Sequence, residues 1–443
     1  MRHFIKYIIV GILASLLGYV AFSVFLQNII LVCCISLTMS IVLLFVLRKI
    51  IQTHNFSFVL MVSVFLFVLL VPLLGKKETT SLEKRTLSEF PKFDINYVWG
   101  FTYGLADYIN DRFAYRNTSI SFLGKLKYEV FHESPMPNLV EIGKGNMLFY
   151  STIEYVNEIS EPFTSAQLDT LKTNMEIMTK WFDSKGIKYY ITVPPGKDRI
   201  YPELMSIGLQ YRTQFSKLDQ LYNYIKNDTL IRFIDYRKEL IDNKKTRLTY
   251  QETDSHWNMF GAYFAYQKIT QRMKKDFPQI NVAELSDYKM DSTISVGGDL
   301  QRHLGFDDLF TSHFYQFTPK NNAQPITLDS SKYDRPDAHV EIFENPKTST
   351  GNISACPLKL FVDRDSYMGA PKMFFITQFR HSFFVWAKSP RIDLIMQEHP
   401  DVVLDEVLER YVNHFLYLPD EIRKDSVFIK QNFPNYYKIK KGI

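Results

Sequence analysis

The first part of the chain alternates long apolar stretches with short polar junctions. Residues 7–26, 29–47 and 56–74 contain no Asp, Glu, Lys or Arg. Each stretch has about 19–20 residues, enough for a helix to cross a hydrocarbon core about 30 Å thick. A secretory signal peptide has a shorter apolar core and is not followed by two further spans. The pattern therefore predicts three transmembrane helices, which form an anchor over residues 1–76.

The basic residues beside these stretches predict the orientation of the chain. Arg2 and Lys6 precede the first stretch, and Arg48 and Lys49 follow the second. Positive charge favours the cytoplasmic side, although it has little influence on long translocated domains such as the one after the third stretch. We therefore predict a multi-pass protein of the inner (cytoplasmic) membrane, whose polar region follows an odd number of spans and lies on the periplasmic side.

The remaining residues show the mixed pattern of folded domains. They divide into a connector with a membrane-proximal helical segment (residues 77–140) and a larger region (residues 141–443). In the larger region, apolar residues at helical spacing and short apolar runs between turn residues predict alternating helices and strands. Predicted helices cover residues 164–185, 215–226 and 257–273, and predicted strands cover residues 187–193, 230–236, 358–362, 383–386 and 402–404.

This alternation is typical of an α/β domain with a largely parallel sheet flanked by helices. Ligands bind to such sheets at the carboxyl ends of the strands. Residues 311–354 lack a clear period and are predicted to be a loop or an insertion.

Charge and cysteine content exclude several classes of function. The net charge of +5 over 443 residues is small and no long basic tract occurs, so nucleic acid is not expected as a partner. The three cysteines have no spacing typical of zinc sites. We expect neither a metal nor a cofactor.

Two polar segments lie where the pattern predicts an active-site rim. Asp254 and His256 precede the helix predicted for residues 257–273, and Ser366 follows the strand predicted for residues 358–362. A serine hydroxyl becomes a nucleophile when a neutral histidine accepts its proton and a carboxylate orients that histidine. The residues are therefore candidates for a catalytic triad. The alternative is structural: Asp254 as a helix N-cap, His256 as a surface residue and Ser366 as a turn residue.

The Asp-x-His-Trp sequence at 254–257, followed later by Asp365-Ser366-Tyr367, resembles the SGNH-hydrolase-like acetyltransferases of alginate O-acetylation (the AlgJ/AlgX-like and DHHW-type group). Further segments resemble elements of that family and occur in the same order: residues 83–91, 111–116, 145–150, 193–202, 298–300 and 400–410. Met147 occupies a position where the family has tryptophan. The resemblance covers residues 83–412 and implies an SGNH-hydrolase-like fold for residues 141–443.

The resemblance implies that Ser366, His256 and Asp254 are the catalytic residues. Many SGNH proteins have glycine two residues before the serine, where this chain has Arg364. The oxyanion of an acyl-transfer intermediate needs hydrogen-bond donors, for which the backbone of Ser366 or Tyr367 is the first candidate. Further candidates for oxyanion or substrate contacts are Arg364, Asn258, Arg380 and Lys197.

The function implied is a membrane-anchored, extracytoplasmic O-acetyltransferase that acetylates the hydroxyls of a polysaccharide through an acyl-enzyme. The family implies a polytopic membrane acyltransferase as the partner that supplies the acetyl group. Two alternatives remain open from the sequence: a carbohydrate acetylesterase with the same triad, and a non-catalytic envelope protein that binds glycan.

Overall fold

The computed structural model describes residues 77–81, 86–306, 308–320, 324–333, 335, 337–345, 355–387 and 390–436. The three stretches predicted to cross a membrane lie outside these residues. Within the described residues, none of the helices has the length and apolar character needed to cross a bilayer. The predictions of a three-helix transmembrane anchor and of a multi-pass inner-membrane location are corrected accordingly, because the structure does not support them.

The described residues form two compact units. Those between 77 and 135, together with residues 302–306, form the first, and those within 136–301 and 308–436 form the second. In the first unit, a helical pattern that is continuous in sequence is divided into α1 (Val98–Arg112) and α2 (Arg116–Phe131). The division occurs at Tyr115, whose φ of 64° is incompatible with a right-handed helix.

The second unit is built on a seven-stranded sheet with the order β4-β3-β11-β9-β10-β8-β7. Its strands are β3 (Lys188–Thr192), β4 (Phe233–Ile234), β7 (Ile326–Leu328), β8 (Ala338–Glu344), β9 (Cys356–Arg364), β10 (Phe379–Ala387) and β11 (Val402–Glu406). Two antiparallel ribbons accompany it: β1 (Val140–Ile142) with β2 (Leu148–Tyr150), and β5 (Tyr288–Val296) with β6 (Thr311–Pro319).

The helices of the second unit cover both faces of this sheet. They are α3 (Ile153–Ser160), α4 (Ser165–Ser184), α5 (Lys197–Ile200), α6 (Ile207–Arg212), α7 (Lys217–Ile225), α8 (Arg237–Asn243), α9 (Met259–Lys274), α10 (Asp299–His303), α11 (Lys372–Gln378), α12 (Ile392–Glu398), α13 (Asp420–Lys424) and α14 (Ser426–Asn432). Helix α4 begins with a capping box, in which Thr164 and Gln167 satisfy each other's backbone N–H groups.

Successive side chains along each strand point to opposite faces of the sheet, so the domain has two hydrophobic cores, one on each face. In β9, Leu360 and Val362 pack with residues of α9 and α11, whereas Phe361 packs on the opposite face with residues of α4 and α12. Each side chain is fully buried. The strands that are buried on both faces read as continuous apolar runs, as expected for the centre of a three-layer α/β domain.

The prediction of a largely parallel sheet is wrong, because the sheet is mixed. Strands β4, β3, β11, β9 and β10 are parallel to their neighbours, but β8 runs antiparallel to β10 and β7 antiparallel to β8. The antiparallel strands come from the segment that was predicted to be a loop or an insertion. β7 is a short and mostly exposed edge strand, so it lacks the continuous apolar run that would have identified it.

Candidate active site

A closed loop presents the first candidate segment. Tyr250 and Trp257 form an antiparallel bridge, and the N–H of Asn258 donates to the carbonyl of Thr249 at 3.1 Å. Helix α9 begins immediately afterwards. The residues between Tyr250 and Trp257 therefore form a short closed loop at the amino end of a buried helix. Their side chains are positioned by this loop and not by the helix.

Asp254 and His256 project from this loop towards each other. Asp254 Oδ1 lies 2.7 Å from His256 Nδ1 and also accepts the backbone N–H of His256 at 3.0 Å. Asp254 Oδ2 accepts the backbone N–H of Asp299 at 2.9 Å. With three hydrogen bonds the carboxylate is fixed, and it in turn fixes the orientation of the imidazole.

Ser366 lies at the other end of the same hydrogen-bond chain. It follows β9 and precedes the one-turn 3₁₀ helix Tyr367–Gly369. Its Oγ lies 2.8 Å from His256 Nε2. The structure thus brings together Asp254, His256 and Ser366, the last two of which are 110 residues apart in the chain.

The loop that carries the serine is fastened to the neighbouring strand. The carboxylate of Asp365 accepts the N–H groups of Tyr367 and Leu408, each at 2.8 Å. The N–H of Asp365 donates to Glu406 Oε2 at 2.9 Å. Because these contacts join the carboxyl ends of β9 and β11, the serine is held on the sheet rather than on a free loop. They also engage the N–H of Tyr367, which leaves the N–H of Ser366 as our first candidate for the oxyanion donor.

The electrostatics of the site favour a charged aspartate and a basic histidine. Burial by itself would raise the pKa of Asp254, but its hydrogen bonds with His256 and its attraction to that ring lower the pKa below the ordinary value. Burial would lower the pKa of His256, yet Asp254 and the nearby carboxylates of Asp299 and Asp365 raise it above the ordinary 6.5. These shifts are those expected of a histidine that is oriented by a carboxylate.

A second carboxylate, Asp299, supports this arrangement, although the sequence analysis gave it no role. It accepts the N–H of Ser255 at 2.7 Å and the hydroxyl of Ser255 at 2.5 Å. The preceding Gly298 has φ of 108°, and a Cβ there would lie 2.2 Å from the carbonyl oxygen of Thr253. Only glycine allows this close approach. The Gly-Asp pair was visible in the sequence, but its contact with Asp254 depends on the β5–β6 ribbon, which was not predicted.

Tyr367 packs against the imidazole. Its ring centroid lies 4.8 Å from that of His256 and 5.4 Å from that of Trp257. The hydroxyl of Tyr367 donates to the carbonyl of Ser255 at 2.6 Å, and Trp257 Nε1 donates to the backbone carbonyl of Tyr367 at 2.9 Å. Tyr367 therefore joins the serine loop to the histidine loop.

Asn258 and Lys197 have supporting places in the structure. Asn258 is the N-cap of α9: its Oδ1 accepts the N–H of Gly261 at 2.9 Å. The ammonium group of Lys197 is buried and donates to the carbonyls of Leu148 at 2.8 Å and of Glu252 at 3.2 Å. Burial lowers the pKa of Lys197 to about 8. Both side chains are thus engaged with backbone groups that hold the Asp254 loop.

The two candidate arginines lie at opposite ends of the sheet. Arg364, at the carboxyl end of β9, is buried and donates to Glu341 Oε2 at 2.6 Å. Arg380 lies near the amino end of β10, which is parallel to β9. Since the serine follows the carboxyl end of β9, the structure does not bring Arg380 to it.

A narrow cleft beside Ser255 and Tyr367 contains Arg410, which was not among the predicted site residues. It belongs to segment 400–410, one of the segments that resemble the family. The cleft is lined by residues that include Tyr150, Ser255, Tyr367 and Arg410. The guanidinium of Arg410 lies 5.7 Å from the ring centroid of Tyr150, and its Nε has no hydrogen-bond partner among the described residues. It is the cationic group best placed to meet a polar ligand next to the serine.

One group of side chains in the site has ligand atoms suited to a metal ion. Atoms of Asp254, His256 and Asp299 lie within 4.8 Å of one another. The same atoms hydrogen-bond to each other and to the loop, and His256 Nε2 faces Ser366. The arrangement has the geometry that a serine nucleophile, a histidine base and an orienting carboxylate need for acyl transfer to or from an oxygen.

The resemblance inferred from the sequence is confirmed by comparison with protein families. Residues 140–339 match the family described as SGNH hydrolase-like domain, acetyltransferase AlgX. The matched residues include Asp254 and His256 and end before Ser366. Residues 140–339 are thus similar to an SGNH-hydrolase-like acetyltransferase domain. No curated protein matches the chain significantly.

Solved structures of similar fold include three bacterial proteins. PatB1 of Bacillus cereus is 14% identical over 63% of this chain and 99% of its own, with a TM-score of 0.46. The O-acetyltransferase domain of Pseudomonas putida AlgJ is 14% identical over 66% of this chain and 98% of its own, with a TM-score of 0.41. AlgX of Pseudomonas aeruginosa is 14% identical over 62% of this chain and 64% of its own, with a TM-score of 0.39.

Proposed function

We propose that the chain is an O-acetyltransferase that acetylates hydroxyl groups of a polysaccharide, with Ser366, His256 and Asp254 as its catalytic triad. The observation that carries the proposal is the continuous hydrogen-bond chain, 2.7 Å from Asp254 to His256 and 2.8 Å from His256 to Ser366. It lies at the carboxyl ends of the central strands, in a domain that matches an acetyltransferase family.

In the first step, Ser366 Oγ attacks the carbonyl carbon of an acetyl donor while His256 Nε2 takes the hydroxyl proton. The carbonyl oxygen becomes an oxyanion, to which we assign the N–H of Ser366 as a donor. When the intermediate collapses, the leaving group receives the proton from Nε2, and an acetyl ester remains on Ser366. In the cell, we propose that a partner acyltransferase supplies the acetyl group, as the family resemblance implies.

In the second step, a sugar hydroxyl transfers its proton to His256 Nε2 and its oxygen attacks the acetyl ester. Collapse of the second intermediate breaks the bond to Ser366 Oγ, which recovers its proton from Nε2. Asp254 stays ionised through both steps and stabilises the imidazolium that forms in each.

Hydrolysis of an acetyl ester is the second candidate function, with water in place of the sugar. The side chain of His256 is 31% exposed to solvent, so water can reach this base when no sugar is bound. The two functions use the same groups and differ only in the acceptor of the second step.

The proposal is tested with the purified protein, 4-nitrophenyl acetate as donor and an oligosaccharide mixture as acceptor. We expect an acetylated Ser366 in intact-mass and peptide analysis, and acetylated oligosaccharide among the products. The Ser366→Ala variant should form neither, whereas Ser292→Ala, which changes an exposed serine of β5, should form both.

Two results would contradict the proposal in different ways. Acetate as the sole product, with a labelled Ser366, would identify an esterase. Unchanged turnover by Ser366→Ala would exclude the triad as the source of the activity.

A further inference from the structure

A large cavity opens next to the serine loop, at the carboxyl ends of β9, β10 and β11. Its volume is about 760 Å³, which lies within the range of small-molecule sites. Its walls include Asp363, Arg364, Trp386, Asp405, Glu406 and Tyr411. The proposed chemistry uses none of these side chains.

The cavity and the triad share a loop. Asp365 lines the cavity, and the next residue is Ser366. Tyr411 also lines the cavity, whereas the preceding Arg410 lines the narrow cleft with Ser255 and Tyr367. The cavity therefore adjoins the loop that carries the proposed nucleophile.

Two aromatic side chains of the cavity are about half exposed. The exposed fraction is 48% for Trp386 and 49% for Tyr411. The guanidinium of Arg364 lies 5.2 Å from the Trp386 ring, and Glu341 fixes that guanidinium through a 2.6 Å ion pair. The indole is thus held in place by its neighbours while much of its surface remains accessible. Large accessible aromatic rings next to polar groups suit ligands with an apolar face and a polar edge, which describes a sugar ring.

The polar groups of the cavity are mostly carboxyls. Asp363, Asp405 and Glu406 are each at most 5% exposed. Carboxyl groups are hydrogen-bond acceptors, so a cavity lined by them suits a ligand that is rich in hydroxyl groups.

The charges around the cavity select against an acidic ligand. Five carboxyl residues line it, against the two guanidinium groups of Arg335 and Arg364 and two histidines. Glu341 already neutralises Arg364. A uronate carboxylate in this cavity would meet an excess of carboxyl groups, whereas a neutral sugar has no charge for them to repel.

We propose that this cavity binds the acceptor, that the acceptor is an uncharged glycan rather than a polyuronate, and that one of its sugar rings stacks on Trp386. This inference rests on the proposed transfer function for its biological meaning. The binding itself does not depend on acyl transfer, so the two can fail separately.

The test is calorimetric titration of the full chain carrying Ser366→Ala, which removes the nucleophile. The probes are hexasaccharides of β-1,4-glucose, α-1,4-glucose and β-1,4-N-acetylglucosamine, and an oligomannuronate of the same length. We expect at least one neutral hexasaccharide to bind, and to bind more tightly than the uronate. Adding Trp386→Ala should weaken that binding about tenfold, and Trp386→Phe should restore most of it.

The matched control is Tyr211→Ala, which removes an aromatic side chain that is 74% exposed on α6 and does not line the cavity. It should leave the affinity unchanged. The inference is overturned if the uronate binds more tightly than every neutral probe, if no neutral probe binds, or if the Trp386 and Tyr211 variants behave alike. Because Trp386 is half-exposed, circular dichroism of its variants should match the parent and show that the fold is retained.

Discussion

Asp254 shows how one residue supports a whole site. Its carboxylate orients His256 through Nδ1 and also receives backbone N–H groups from two separate segments of the chain. An amide in its place would keep the shape but would lose the charge that stabilises the imidazolium.

We therefore expect Asp254→Asn to reduce kcat by about 10³–10⁴-fold with little change in fold. Turnover of 4-nitrophenyl acetate measures the rate, and Asp291→Asn, which changes an exposed residue of β5, is the control. A loss smaller than tenfold would mean that Asp254 does not orient the base.

The histidine predicts a pH dependence. The pKa of His256 is raised above 6.5, because Asp254 and its neighbours outweigh the effect of burial. A raised pKa keeps the imidazole protonated to higher pH, and the protonated ring cannot accept the serine proton. kcat/KM should therefore fall as the pH is lowered through a midpoint above 6.5.

In Asp254→Asn the same midpoint should move to lower pH, because the charge that holds the proton is gone. A pH–rate profile of both proteins measures this. Identical midpoints would show that another group controls the titration.

At the scale of elements, Lys197 joins β2 to the segment that precedes Asp254. Its ammonium donates to the carbonyls of Leu148 and Glu252 and is fully buried. Lys197→Met would leave both carbonyls without that donor, and an unsatisfied buried group costs about 1–3 kcal/mol.

We expect Lys197→Met to lower the free energy of unfolding by about 2–4 kcal/mol, measured by urea denaturation. Lys238→Met, which changes a highly exposed residue, should have no measurable effect. If Lys197→Met were as stable as the parent but inactive, the lysine would belong to the substrate site instead.

The elements also show what the sequence could predict. The helices α4 and α9 and the strands β3 and β11 lie within about two residues of their predicted positions, because each has a strong period or an unbroken apolar run. The break at Tyr115 and the edge strand β7 were missed, because a positive φ at a tyrosine and a short exposed strand leave no periodic signal.

The candidate site divides in the same way. Asp254, His256 and Ser366 could be proposed from the sequence because they border recognisable elements and resemble a family motif. The places of Lys197 and Arg364 were not predicted, because both have partners distant in sequence. Arg364, for example, is engaged by Glu341 of β8, a strand that the sequence did not predict.

At the scale of the whole molecule, buried carboxyls at the carboxyl end of the sheet make stability depend on pH. Burial raises the pKa of Asp405, although its hydrogen bond with Tyr189 and the charge of His414 oppose this. The folded state then holds a proton that the unfolded chain has released above pH 4. Stability consequently falls as the pH rises from the unfolded pKa through the folded one.

Asp405→Asn removes this penalty and can still accept the hydroxyl of Tyr189. We expect its Tm to exceed that of the parent by about 2–4 °C at pH 8, with the difference shrinking towards pH 4. Thermal unfolding at both pH values measures this, with Asp420→Asn on the surface as the control. A difference that grows on acidification would refute the assignment.

The β5–β6 ribbon has a consequence for the evolution of the chain. Its nine paired positions run without a bulge, and Asp299 follows three residues after β5, where it meets Asp254. Each added residue pair would move the end of the ribbon that carries Asp299 by about 3.4 Å, which is more than a hydrogen bond tolerates. Exposed side chains along the ribbon can therefore change during evolution. The length of the ribbon must stay constant for Asp299 to keep its contact with Asp254.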